Sequence, residues 1–176
     1  DSPSFASRGW KFNLNGKYIV PVIKNEDGSR MKNSIVLRAD IDGAIAIGKK
    51  HSLKLGATIG SSVWDCEPPI SHQFFVGGQS HMKYFDNIIS FDGLRFTQLY
   101  GDHIALAKMS WQYNFYKKLY AIANVNGGYV TADYDRWFDD DNFVFGCGFT
   151  LGMQTMAGPI EVSLMGSNKC SNLVGF

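Results

Sequence analysis

Apolar and polar residues alternate one by one along most of this chain, in runs far longer than ordinary strands. From Gly9 to Val22, Trp10, Phe12, Leu14, Tyr18 and Val20 alternate with Lys11, Asn13, Asn15 and Lys17. From Asn33 to Ile47, Ile35, Leu37, Ala39, Ile41, Ile45 and Ile47 alternate with Ser34, Arg38, Asp40 and Asp42. From Ser52 to Ser62, Leu53, Leu55, Ala57 and Ile59 oppose Lys54, Gly56, Thr58 and Gly60. A period of two sends successive side chains to opposite faces of a strand. Strands of soluble proteins usually run to about 5–6 residues. The length of these runs suits a tilted bilayer crossing, which takes about 9–11 residues.

The pattern resumes after an irregular stretch. Ala105, Ala107, Met109, Trp111 and Tyr113 oppose Lys108, Ser110 and Gln112, then Leu119, Ala121, Ala123, Val125 and Tyr129 oppose Asn124 and Asn126. "GCGFTLGMQTMAGPIEVSLMGS" supplies a sixth and a seventh strand, and Ser171 to Phe176 begins an eighth. No helix is predicted. Longer polar links follow strands one, three, five and seven: "KNEDGSRMKN", the stretch from about Trp64 to Tyr100, "ADYDRWFDDDN" and "SNKCS". Tight turns follow strands two, four and six: "GKKH", "FYKK" and "TMAG". Long loops at one end and short turns at the other match an outer-membrane barrel, whereas Greek-key links in a sandwich keep no such order.

Alternation alone does not say which face is inside, since a soluble closed barrel shows the same pattern inverted. The polar face here is rich in Gly, Asn, Ser, Thr and Gln, and poor in the Lys-Glu pairs of a soluble surface. Aromatics, among them Trp10, Trp64, Trp111, Tyr113, Tyr116, Tyr120 and Tyr129, tend toward strand ends, as in interfacial girdles. The expectation is therefore an all-β, antiparallel up-and-down transmembrane β-barrel. Residues 1–176 form one barrel domain or one half of a sixteen-stranded barrel, with a long lumen or extracellular loop at about 64–100. Phe149, Leu151, Met153, Ile160, Val162 and Leu164 should face lipid, and Thr150, Gln154, Glu161 and Ser163 the lumen. The charges Arg38, Asp40, Asp42, Lys54, Lys108 and Glu161 are assigned to the lumen, because Arg or Lys facing acyl chains costs about 2–4 kcal/mol at the midplane. Lys11 and Lys17 join them.

With 17 Lys+Arg against 16 Asp+Glu, the chain has no basic footprint for nucleic acid. Cys66, Cys147 and Cys170 form no C-x-x-C, and spacing leaves their state open. No G-x-S-x-G elbow occurs; "GSSVW" and "MGSN" lack the second glycine. His51, His72, His81 and His103 sit at turns and in the long loop, and "YDRWFDDDN" lacks EF-hand spacing. No catalytic site, metal site or cofactor is expected.

Two stretches carry a family resemblance. "FFVGG" (Phe74 to Gly78), followed by a long loop with an arginine in "FDGLRF", resembles the barrel of the bacterial surface-antigen superfamily, which includes outer-membrane barrel-assembly proteins and two-partner secretion transporters. "GCGFTLGMQTMAGPIEVSLMG" is similar to that family's penultimate hairpin. The loop "SFDGLRFTQLYGD" looks most like barrels fused to patatin-like phospholipases in Bacteroidota-type bacteria. The resemblance implies a lumen-inserted loop contacting the wall through Arg95, Gly77 and Gly78. Arg95 departs from the family pattern in being followed by Phe96 rather than by Gly and an aromatic. The resemblance further implies a bacterial outer-membrane location and a role in anchoring or translocating an attached domain, a patatin-like phospholipase absent from this chain. The chain itself would perform no chemistry. Its partners would be the bilayer and the remaining barrel strands or a second copy. Two other readings stay open here: a self-contained eight-stranded outer-membrane structural protein or adhesin, and a soluble ligand-binding β-barrel.

Overall fold

The computed structural model describes residues 8–20, 33–64, 72–79, 87–116, 118–155 and 158–175. Eight long strands follow the alternating runs: β1 (Gly9–Ile19), β2 (Ser34–Ile47), β3 (His51–Trp64), β7 (His103–Tyr116), β8 (Leu119–Thr131), β9 (Phe143–Thr155), β10 (Gly158–Ser167) and β11 (Cys170–Gly175). They form one antiparallel sheet in the order β1-β2-β3-β7-β8-β9-β10-β11, an up-and-down meander. Between β3 and β7 lie three short strands, β4 (Phe74–Val76), β5 (Ile88–Ile89) and β6 (Leu99–Gly101), which make a second sheet in the order β5-β4-β6. Their pairing is parallel for β4 with β5 and antiparallel for β4 with β6.

The sequence reading differs from the structure at several points. The first strand ends at Ile19, before Val22, which lies outside the described residues along with Cys66, His81 and the middle of "TMAG". The stretch expected to be irregular contains β4, β5 and β6, each too short to show a period. The link after β8 holds two 3-10 turns, Tyr134–Arg136 and Asp140–Asn142. No α-helix occurs among the described residues.

Register fixes the two faces across all neighbours. One row reads Phe12, Ile41, Ala57, Ala107, Gly127, Phe145, and the row behind it reads Asn13, Asp40, Thr58, Leu106, Gly128, Val144. The first face stays uncovered: Phe12 is 69% exposed, Ile59 51% and Leu151 51%. The opposite face buries Ser62, Ser110, Gln112, Asn124, Asn126, Thr150 and Ser163. That inverts the soluble rule, under which large apolar side chains go in and polar ones out. It is the arrangement of a sheet whose outer solvent is lipid.

Aromatic clusters border the apolar face at both ends. Near the short turns, His51 stacks on Tyr113 at 4.6 Å and on Trp111 at 5.7 Å. Near the long links, Tyr129 meets Phe138 and Phe143, each at 5.3 Å. Rings with a polar edge or atom are favoured where hydrocarbon gives way to headgroups.

Candidate functional site: a loop seated on the inner face

The short-strand sheet lies against the polar side of the long sheet, at its long-link end. Phe74, Val76, Ile89, Phe91 and Leu94 from this segment are buried with Val36, Ile104, Leu106, Val130 and Val144 of the wall. These wall positions share the inner-face parity, so the segment covers an apolar patch of the inner face. The segment is held together by its own ladder. Phe75 N–H donates to Asn87 O at 2.8 Å, Gly77 N–H to Ile89 O at 3.0 Å, and Phe91 N–H to Gly78 O at 2.9 Å.

Missing side chains on the wall make the close approach possible. A Cβ on Gly60 would stand 2.7 Å from Phe74 Cζ, and one on Gly146 would collide with the Asp92 carbonyl oxygen. The fit is reciprocal: a Cβ on Gly93, whose φ is +90°, would strike the Gly166 carbonyl. Gly146 on the wall and Gly93 in the segment thus leave the space in which residues 91–93 meet β9 and β10.

Asp92 is the polar centre of this contact. Its side chain is 1% exposed, with Oδ2 2.9 Å from Lys108 Nζ on β7. Its backbone oxygen accepts from Asn126 Nδ2 at 3.1 Å, and Gln79 Nε2 approaches Oδ1 at 3.5 Å. A buried carboxylate with a cation and a donor around it is the form in which such a charge is tolerated. At the rim, Asp102 stitches the segment to two wall strands: Ser62 N–H donates to its carbonyl at 2.7 Å, and its own N–H donates to Thr131 O at 2.9 Å. Burial pushes the Asp102 carboxyl above the ordinary range, opposed by a hydrogen bond from Gln73 and by the neighbouring His103.

The residues singled out from sequence distribute as follows. Arg38, Asp40, Asp42, Lys54, Lys108 and Glu161 have the parity of the face that carries the segment. Asp40 gathers Arg38 Nε at 2.9 Å and Nη2 at 2.8 Å, Thr58 Oγ1 at 2.8 Å and Asn13 Nδ2 at 3.3 Å. Glu161 accepts from the Tyr120 hydroxyl at 2.5 Å, and Lys54 lies within the fields of Glu161 and Lys108. Asp42 is exposed near Gly56. Arg95 is exposed; its backbone N–H donates to Gln98 Oε1 at 2.8 Å, and its carbonyl lies where a Cβ on Gly77 would sit. Gly78 donates to Leu94 O at 3.1 Å. Asp92, Asn126 and Gln79 were not singled out. Asp92 stands in the quoted "FDGLRF", but only register brings it to Lys108.

Other chemistry-bearing groups do not converge. Among the described residues no group of three or more His, Cys, Asp or Glu is arranged to hold a metal. Ser61 Oγ lies 2.9 Å from His103 Nδ1, on the outer face beside Tyr134 and Trp137. In the acidic link, Arg136 pairs with Asp139 at 2.8 Å. Cys147 is a free, exposed thiol.

A lipid-facing meander carrying an inward-folded segment is a combination that a family comparison can test. No curated protein matches the chain. A family model described as the OMP85 superfamily matches residues 1–173, nearly the whole of it. This supports the barrel superfamily to which the resemblance pointed. The chain belongs to the OMP85 superfamily, a family of outer-membrane β-barrels.

Proposed function

We propose that this chain is a membrane-embedded barrel that anchors or translocates an attached domain in the bacterial outer membrane, and that anchoring is its resting role. The observation that carries the reading is the segment formed by residues 72–79 and 87–102, packed on the inner face, with Phe74, Phe91 and Leu94 each 1% exposed. A hydrophobic seal of that kind obstructs the lumen side at the long-link end. A patatin-like phospholipase is the attached domain that the "SFDGLRFTQLYGD" loop favours, and the chain itself supplies no chemistry in this reading. Arg95, Gly77 and Gly78 would shape the loop's turn, with Lys108 of the wall taking the loop's charge.

Closure follows from lipid chemistry. Edge strands with unpaired N–H and C=O groups are not tolerated in hydrocarbon, and no bridge joins β1 to β11 among the described residues. Further strands or a second copy would pair with those edges. A self-contained eight-stranded barrel fits less well, because so narrow an interior is filled by wall side chains alone, and here a three-stranded sheet lies against that face.

The test is membrane fractionation of the expressed protein combined with conductance in planar bilayers. A detergent-extracted, heat-modifiable protein with low conductance, rising in an Asp92→Ala variant, supports a seated plug. Recovery of the protein in the soluble fraction would overturn the reading.

A further inference from the structure

Among the described residues, the two rims of the sheet carry opposite charge. At the short-turn end, Arg8 precedes β1, Lys49 and Lys50 form the β2–β3 turn, and Lys118 lies in the β7–β8 turn; all four are exposed. Lys117, next in sequence, lies outside the described residues. No carboxylate borders these cations among the described residues. Asp42 and Glu161, the nearest acids along the strands, have inner-face parity, and Glu161 is engaged by Tyr120. At the other end, the link 132–142 holds Asp133, Asp135, Asp139, Asp140 and Asp141 against Arg136 and the nearby Lys169.

The backbone holds the basic turns in place. Asn114 N–H donates to Lys50 O and Gln154 N–H to Lys118 O, each at 2.8 Å, so both turns continue the ladder instead of hanging from it. Depth is set by the rings. His51, stacked on Tyr113 and Trp111, is adjacent to Lys50, and Tyr116, 70% exposed, is two residues from Lys118. If those rings mark the boundary of the hydrocarbon, the flexible lysine stems reach the phosphate layer directly below.

We infer that the short-turn rim is a docking surface for anionic phospholipid headgroups of the leaflet it faces, with Lys49, Lys50 and Lys118 as phosphate contacts. The inference rests on the membrane reading above. Charge complementarity selects this occupant, since clustered lysines beside a lipid surface attract its anionic members, and the acidic rim gives the opposite leaflet no such attraction. The surface asks only for a negatively charged phosphate headgroup, not for a particular acyl chain.

Spin-labelled lipids test this directly. The full chain, reconstituted into phosphatidylcholine vesicles, is probed with spin-labelled phosphatidylglycerol and spin-labelled phosphatidylcholine, and the motionally restricted fraction of each is measured. The expected result is a phosphatidylglycerol preference of about threefold or more at low salt, abolished in the Lys49→Gln, Lys50→Gln, Lys118→Gln variant and by molar salt. The matching Lys→Arg variant retains it. Equal association of both lipids, or a preference unchanged in the Gln variant, overturns the inference while leaving the membrane reading intact. Absence of any restricted component overturns both.

Discussion

Asp92 places a carboxylate at 1% side-chain exposure with Lys108 Nζ 2.9 Å away, and the two partners are not equally hidden, since a third of the Lys108 side chain remains exposed. Breaking a buried pair costs about 3–5 kcal/mol, and partial screening lowers that here. Asp92→Ala should therefore destabilise the seated loop by about 2 kcal/mol, read as faster limited proteolysis between residues 72 and 102. Replacing both partners, Asp92→Asn with Lys108→Met, should restore most of the resistance, because the stranded cation is gone. A double variant as labile as Asp92→Ala would deny that the charge pair matters. Asp102 gives a pH signature. Its carboxyl is raised above the ordinary value of 3.8 by burial, so the folded chain binds the proton more tightly than the unfolded one. Stability contributed at this site is highest at acid pH, declines as pH rises from 3.8 through the raised value, and is level above it. Asp102→Asn should remove that decline from denaturation midpoints measured across the interval, and an unchanged pH slope would contradict the assignment.

The short-strand segment as an element depends on apolar contact more than on its own ladder, since β4 pairs over three residues with β6 and two with β5. Isolated pairings of that length are not stable in water. Phe91→Ala should cost about 3–5 kcal/mol of loop seating and increase hydrogen exchange at Gly77 and Gly78, while β7 and β8 keep their protection. Loss of protection throughout the sheet would show that segment and wall do not separate. This element also marks what sequence could reveal. The long strands were legible because each residue votes on the period, and a dozen votes outweigh local noise. Phe74–Val76 or Leu99–Gly101 supplies three votes, too few to register. Its burial depends on a wall contributed by residues 36 to 144, a relation carried by register, not by neighbours in sequence.

At the scale of the whole molecule, the direction of the apolar face decides the class of protein. Ala107→Arg, in the middle row of that face, should raise the free energy of folding into vesicles by about 2–4 kcal/mol, and Phe115→Arg, near the short-turn rim, by about 0–1 kcal/mol. A soluble sheet would show no such dependence on depth. The direction was readable from the mild, small residues of the polar face, such as Thr58, Asn124, Asn126 and Ser163. The lumen glycines were readable only in part. "GCGFTLG" shows small residues on one face, but that Gly146 accommodates the Asp92 backbone depends on the path of a loop from the other side of the sheet.

That path also has a consequence for the order in which the chain can assemble. The segment leaves β3 and rejoins at β7, yet its tip rests against Gly146 of β9 and Gly166 of β10, which are synthesised later. The seat of the tip, begun by Lys108 of β7 and Asn126 of β8, is completed only when the last hairpins are in register, and contacts so distant along the chain form late. Seating of Asp92 thus acts as a checkpoint on completion. A nascent or truncated chain lacking β9 and β10 would lack Val144 and the backbone of Gly146 and Gly166 on that side, leaving the tip open to proteases until the wall is finished.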